Sequence, residues 1–220
     1  MVSQSWDCEG CLCACSAAIV VDSVTAQQTA LLVIDAQQSF EHCSYWSTSH
    51  TPMFFDKIQA LIDGAKLRGI PVVQIFHVED AGAFCSASGH IKTIAGLVIE
   101  PDVVFYKRRH GALIDTGLSV WLLEHGIRRV IISGIRTEQC CETTTRHAAD
   151  CGYDVDFVSE ATLTFAMTDR SGRIWSADEI KARTELVLEG RFARVTTVEQ
   201  SLVAADRANH AKGNDQHANS

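Results

Sequence analysis

Short apolar runs recur along the chain at Ala30 to Ile34, Pro71 to Phe76, Val103 to Tyr106, Val130 to Ser133 and Val155 to Val158. They are rich in β-branched residues and lack the strict alternation of a half-exposed strand. Runs of this kind mark strands buried on both faces of a parallel sheet. Between them the apolar spacing turns helical. Phe55, Ile58, Leu61, Ile62 and Ala65 form one stripe, with Gly69 as its stop ahead of Pro71. Thr116 opens a second helix through Leu118, Trp121 and Leu122, ended by Gly126. Thr137 opens a third that reaches about Asp150 before Gly152. A last amphipathic stretch from Ile180 to Gly190 precedes a short candidate edge strand at Arg194 to Thr197.

Strands alternating with helices build βαβ units with right-handed crossovers, so the expected fold is α/β. It is a three-layer α/β/α, Rossmann-like domain with a mostly parallel central sheet of about six strands. That domain is expected over residues 29–206. Residues 1–28 read as a cysteine-containing extension without periodicity, and residues 207–220 as a polar tail unable to bury enough apolar area to order itself. In such sheets the chemistry lies outside the carboxyl ends of the strands.

Composition narrows the classes. A chain of 220 residues buries a full core without disulfide support. Its net charge of -8 argues against a nucleic-acid binder, which needs a basic face. The longest apolar stretch near the start, Ala17 to Val21, is far short of the roughly 20 residues a bilayer requires, so no membrane partner is expected. Leu12-Cys13-Ala14-Cys15 has the look of a lipoprotein cleavage box, but no Lys or Arg precedes it and Asp7 and Glu9 interrupt the region of a signal core. The expected location is the cytoplasm, where the nine cysteines remain thiols.

Three strand ends carry candidate chemistry. The first run ends in Asp35, a carboxylate leaving an apolar strand and thus partly desolvated, which suits it to proton transfer; an Asp there also serves as a turn residue. The third ends in Lys107, which on its own would snorkel to water. Arg108 and Arg109 read as surface or substrate-charge contacts and His110 as a polar loop residue. The fourth runs into Gly134-Ile135-Arg136-Thr137-Glu138-Gln139-Cys140-Cys141. With Thr137 as N-cap, Cys140 falls in the first helical turn, where free N–H groups and the helix dipole should lower its pKa and could bind an oxyanion. The plain alternative is a cysteine that packs in the core. Cys141 is about 100° round the helix, so only one of the pair can face a site.

Asp-x-Gln-x-x-Phe at 35 to 40, Lys-x-x-x-small-Ala-apolar at 107 to 113 with Thr116-x-Leu118, and Gly-Ile-x-Thr-x-x-Cys at 134 to 140 together resemble the isochorismatase-like cysteine hydrolases. The resemblance spans about residues 29 to 200. It implies a catalytic triad of Asp35, Lys107 and Cys140, a cis peptide between Ile135 and Arg136, and an oxyanion hole from the backbone N–H groups of Arg136 and Cys140. It further implies a homo-oligomer. Members that cleave the vinyl ether of isochorismate lack the cysteine, so Cys140 argues for amide chemistry. Nicotinamidase-like members bind a metal through an Asp-x-His after the first motif. Here the stretch reads Glu41-His42-Cys43-Ser44-Tyr45-Trp46, so neither metal nor other cofactor is expected.

The implied reaction is cleavage of an amide, ureido, carbamoyl or lactam C–N bond of a small-molecule substrate through a thioester. Asp35 takes the thiol proton and later activates water, Lys107 keeps Asp35 ionised and supports the thiolate, and Phe40 and His77 line the substrate. The loop from Val78 to His90 is a candidate lid. The competing readings are ether hydrolysis and a thiol redox or metal-binding protein. The latter rests on Cys8, Cys11, Cys13 and Cys15, whose Cys-x-x-Cys-x-Cys-x-Cys spacing lacks the separated ligand pairs usual for structural zinc.

Overall fold

The computed structural model describes residues 29–215, with side chains through Asp206. The expectations for Cys8, Cys11, Cys13 and Cys15 therefore lie outside the described residues. The elements run β1 (Thr29–Ile34), α1 (Thr51–Leu67), β2 (Val72–His77), β3 (Val103–Lys107), α2 (Leu118–Glu124), β4 (Arg129–Ile135), α3 (Glu142–Asp150), β5 (Asp154–Leu163), β6 (Met167–Thr168), β7 (Ile174–Trp175), α4 (Ala177–Leu188), β8 (Arg194–Thr196) and α5 (Val198–Asp215). Six strands form one parallel sheet in the order β3-β2-β1-β4-β5-β8. The three-layer α/β/α expectation holds.

The period of two along β1 sorts its side chains between two cores. Leu31 and Val33 join Ile58, Leu61, Ile62 and Leu202 beneath α1 and α5. Ala30, Leu32 and Ile34 join Leu118, Leu122, Ala148 and Leu188 beneath α2, α3 and α4. Each fully buried Leu or Ile contributes about 1.5–3 kcal/mol over an exposed one, which is why a strand apolar on both faces settles at the centre of the sheet. Asp156, buried at the base of β5, accepts from Arg129, Arg194 and Ser201 and so ties β4, β8 and α5 together.

Several boundaries differ from expectation for identifiable reasons. In α1 the stripe of Ile58, Leu61, Ile62 and Ala65 is buried as expected, but one turn earlier it is Phe54, four residues before Ile58, that is buried, with Phe55 packed at the edge. Helix α4 begins at Ala177, where Ser176 and Glu179 form a reciprocal capping box. The hairpin β6–β7 escaped the sequence reading, its two-residue strands being too short for any periodicity. Helix α5 continues past Asp206 to Asp215, into the tail expected to lack order. Leu202 and Ala205 anchor its earlier turns in the core, and a nucleated helix extends at the cost of only one residue per added bond.

Sheet order reverses direction at β1: β2 and β3 lie to one side, β4 and β5 to the other. A reversal of this kind opens a crevice at the carboxyl ends of the two central strands. Asp35 leaves β1 there, and the segment leading to Cys140 leaves β4 beside it.

Candidate active site

Asp35 adopts a left-handed backbone conformation (φ 50°). Its N–H donates to the Ile75 carbonyl and its own carbonyl accepts from Gln37, forming a tight turn that aims the carboxylate across the strand ends. Gln37 then clamps the neighbouring strand. Its Oε1 accepts from the His77 N–H at 2.7 Å, and its Nε2 donates to the His77 carbonyl at 3.1 Å. The ends of β1 and β2 are thereby locked in register.

Lys107 ends β3 opposite His77 and is 1 % exposed. Its Nζ lies 2.7 Å from Asp35 Oδ2, 3.2 Å from Cys140 Sγ and 3.2 Å from His77 Nδ1. Those three neighbours match the three protons of an ammonium. Burial disfavours the charge on Lys107, but the Asp35 carboxylate and Cys140 outweigh it and leave the pKa raised. His77 is shifted the opposite way. Burial and then the Lys107 cation push its pKa below the ordinary 6.5. Neutral His77 accepts from Lys107 at Nδ1, so its proton sits on Nε2, which faces Glu79 Oε1 at 3.2 Å.

Strand β4 reaches the site through Gly134. At this residue (φ 123°) a Cβ would stand 1.9 Å from the carbonyl oxygen of Ile34. Only glycine lets the two central strands approach so closely. The Ile135–Arg136 peptide is cis. A wide π turn, Thr137–Cys141, follows and leads into α3. Thr137 lies inside this turn, not at the N-cap, which Arg136 occupies; its hydroxyl instead donates to Thr162 Oγ1 on β5 at 2.8 Å. Cys140 nevertheless sits in the first turn as expected. Arg136 folds back over Tyr45 and Phe165 and pairs with Glu138 at 3.0 Å.

The thiol does not have the lowered pKa expected from the helix terminus. Burial and the Asp35 carboxylate push Cys140 well up, and the Lys107 ammonium offsets only part of this. The helix end loses because Cys140 is only 6 % exposed and has a carboxylate nearby. Both upward effects favour the neutral thiol over the thiolate. Cys141 is wholly buried, and its pKa too is pushed well up, by burial first. Neither oxygen of the buried Asp35 carboxylate accepts a hydrogen bond among the described residues; Oδ2 is held by its ion pair with Lys107, and Oδ1 has no partner of either kind.

Other expected contacts fall as follows. Phe40 is 4 % exposed and packs edge-to-face on Phe84, 5.0 Å between ring centroids, beneath the loop from Val78 to His90. Phe84 also meets the His77 ring, a contact absent from the sequence reading. Arg108 pairs with Asp80 at 2.6 Å. A cleft of about 770 Å³ opens at the carboxyl ends of β2 and β3, along Tyr106 in β3 and the following residues Glu79, Arg108 and Arg109. His110, read as a polar loop residue, instead places Nδ1 3.5 Å from Cys140 Sγ. Nothing in its local sequence marked it. Among the described residues no three His, Cys, Asp or Glu side chains gather as metal ligands, and His42 stacks on His90 at 3.7 Å. The described cysteines, Cys43, Cys85, Cys140, Cys141 and Cys151, are free thiols.

A thiol, an ammonium and a carboxylate in contact at the switch point of a parallel sheet define a hydrolase class built on the three-layer α/β/α fold. Comparison with known proteins narrows the class. The isochorismatase domain family matches residues 29–200, and the chain belongs to that family. The uncharacterised isochorismatase family protein YrdC of Bacillus subtilis is 25% identical over 179 residues, 80% of this chain and 95% of its own length. Nicotinamidase 3 of Arabidopsis thaliana is 31% identical over 152 residues, 62% of this chain and 73% of its own length. Among solved structures, an isochorismatase-family protein of Chromobacterium violaceum superposes with a TM-score of 0.75 at 28% identity, covering 82% of this chain and 95% of that one.

Proposed function

We propose that this chain hydrolyses a carbon–nitrogen bond of a small molecule, in an amide, ureido, carbamoyl or lactam group, through a thioester on Cys140. The observation that carries the reading is the buried Lys107 ammonium set 2.7 Å from Asp35 and 3.2 Å from Cys140. Because burial and the Asp35 carboxylate favour the neutral thiol, attack calls for a base, and the unpartnered Oδ1 of Asp35 supplies one. Proton transfer leaves the charge on sulfur, where Lys107 stabilises it, so the cation serves the carboxylate first and the thiolate next. Positioned general bases of this kind contribute about 10²- to 10⁴-fold. The backbone N–H groups of Arg136 and Cys140 receive the oxyanion, the amine departs, and water opens the thioester. Phe40 and His77 belong to the substrate side, and the site works without a metal or other cofactor. Likeness to a nicotinamidase supports an amide over an ether substrate. We further propose, from the family resemblance, that the protein is a homo-oligomer and, from its sequence, that it works in the cytoplasm.

The test is an ammonia- and amine-release screen over nicotinamide, biuret, carbamoyl amino acids and small lactams, with Cys140→Ala as the blank. At least one compound should be turned over by the wild type and left intact by the variant. A variant as active as the wild type overturns the thioester. Activity confined to isochorismate in a parallel assay would move the protein to ether hydrolysis.

A further inference from the structure

Asp35 and Lys107 lie on the buried side of the Cys140 sulfur, with exposures of 0 % and 1 %. The amine that leaves and the water that arrives use its open side, where neither group is available. A titratable side chain stands beside the sulfur there. His110 is exposed, and its Nδ1 lies 3.5 Å from Sγ. The other nearby imidazole, His77, runs parallel to it at 6.1 Å between centroids. Both His77 nitrogens are committed, one to Lys107 and one to Glu79. His110 has no hydrogen-bond partner other than the thiol among the described residues. Its placement is built. The Ala112 N–H donates to Thr144 Oγ1 on α3 at 3.0 Å, holding the segment that follows Lys107 down over the turn that carries Cys140. The preceding residue, Gly111, is buried and its backbone faces the side chains of Ile114 and His147.

We infer that His110 is a second proton-transfer residue of this site, acting on the leaving amine and on the hydrolytic water while Asp35 acts on the thiol. The inference rests on the thioester reading. In acylation the S–H proton passes to Asp35, the S–C bond forms, and as the C–N bond breaks the amine takes the proton carried by His110. In deacylation neutral His110 takes a proton from water as its oxygen adds to the thioester carbonyl; the S–C bond breaks and sulfur recovers its proton from Asp35. Both groups return to their starting state. An imidazole is the side chain suited to giving and taking a proton near neutral pH.

The experiment uses p-nitrophenyl acetate, whose nitrophenolate leaves without needing a proton, beside an amide found by the release screen. In His110→Ala, acylation of Cys140, read as first-turnover nitrophenolate release, should stay within about threefold of wild type. Steady-state turnover of the ester and turnover of the amide should both fall about 100-fold, the scale of general acid–base catalysis. Acetyl-enzyme should accumulate on Cys140 by intact-protein mass, and added imidazole should restore ester turnover. His110→Gln should behave alike. Wild-type turnover of both substrates by the variants would overturn the inference, as would acylation lost in step with turnover and unrescued by imidazole. A wild-type enzyme that never acylates on Cys140 fails at an earlier point, sinking the thioester reading and this inference together.

Discussion

Lys107 shows how a charge is kept inside a protein. Removing a cation from water is costly, and what offsets the cost is a carboxylate at 2.7 Å with two further acceptors at 3.2 Å. Lys107→Met should strand Asp35 as an unpaired buried charge and lower unfolding stability by about 3–5 kcal/mol in urea titration. Adding Asp35→Asn should recover part of that loss, because the double variant no longer buries a charge. An unchanged midpoint in the single variant would place the lysine outside the site. The same substitution should move alkylation of Cys140 by iodoacetamide to higher pH, since the ammonium is what offsets the upward shift of the thiol. Wild-type Cys140 should in any case react ahead of the wholly buried Cys141. His77 gives a pH dependence of known sign. Its folded pKa lies below 6.5, so just under pH 6.5 the unfolded chain binds a proton that the folded chain refuses. Its contribution is present above 6.5 and lost as pH falls through that value, with the Lys107 hydrogen bond to Nδ1 lost alongside. Thermal melts should show this acid loss in the wild type and a flatter profile in His77→Gln.

Among the elements, the junction of β4 with the π turn does most to place the nucleophile. Gly134 lets β4 close on β1, and Thr137 ties the turn to β5 through Thr162. Gly134→Ala should drive a methyl into the Ile34 carbonyl and cost about 3 kcal/mol or more, adding overpacking to the strain of a positive φ. Gly152, with φ 87° and nothing within 4 Å of its Cβ position, is the control. Gly152→Ala should cost only about 1–2 kcal/mol from backbone strain alone. Equal melting temperatures for the two variants would show that strand approach is not what Gly134 provides. The loop from Val78 to His90 is likewise tied down: Ser39 Oγ donates to the His90 carbonyl, fastening its far end to the turn after β1.

Across the whole molecule the reversal of strand order at β1 gathers residues 35, 107 and 140 into one crevice. Because the described fold begins with β1 at Thr29, deleting residues 1 to 24 should leave melting temperature and turnover nearly unchanged. A large drop, or metal that co-purifies with the full chain and is lost on deletion, would make the amino-terminal cysteines a working part of the protein. No helix among the described residues is long and apolar enough to cross a membrane.

The strands, their parallel pairing and the strand-end positions of Asp35, Lys107 and Cys140 were legible from local pattern. A strand buried on both faces must be apolar throughout, and a polar residue breaking such a run is visible without any knowledge of partners. The resemblance carried by the motifs grouped the three residues before their distances were seen. What belonged to the tertiary structure alone is the set of effects that depend on distance. The raised pKa of Cys140 comes from burial and from a carboxylate 105 positions earlier in the chain, against which a helix terminus is too weak. The engagement of both His77 nitrogens, the position of His110 against the sulfur and the use of the Thr137 hydroxyl on β5 likewise depend on groups brought close only by folding. Hydrogen bonds are lost within an ångström or so and Coulomb energies scale inversely with separation, and a sequence records order along the chain but not separation in space.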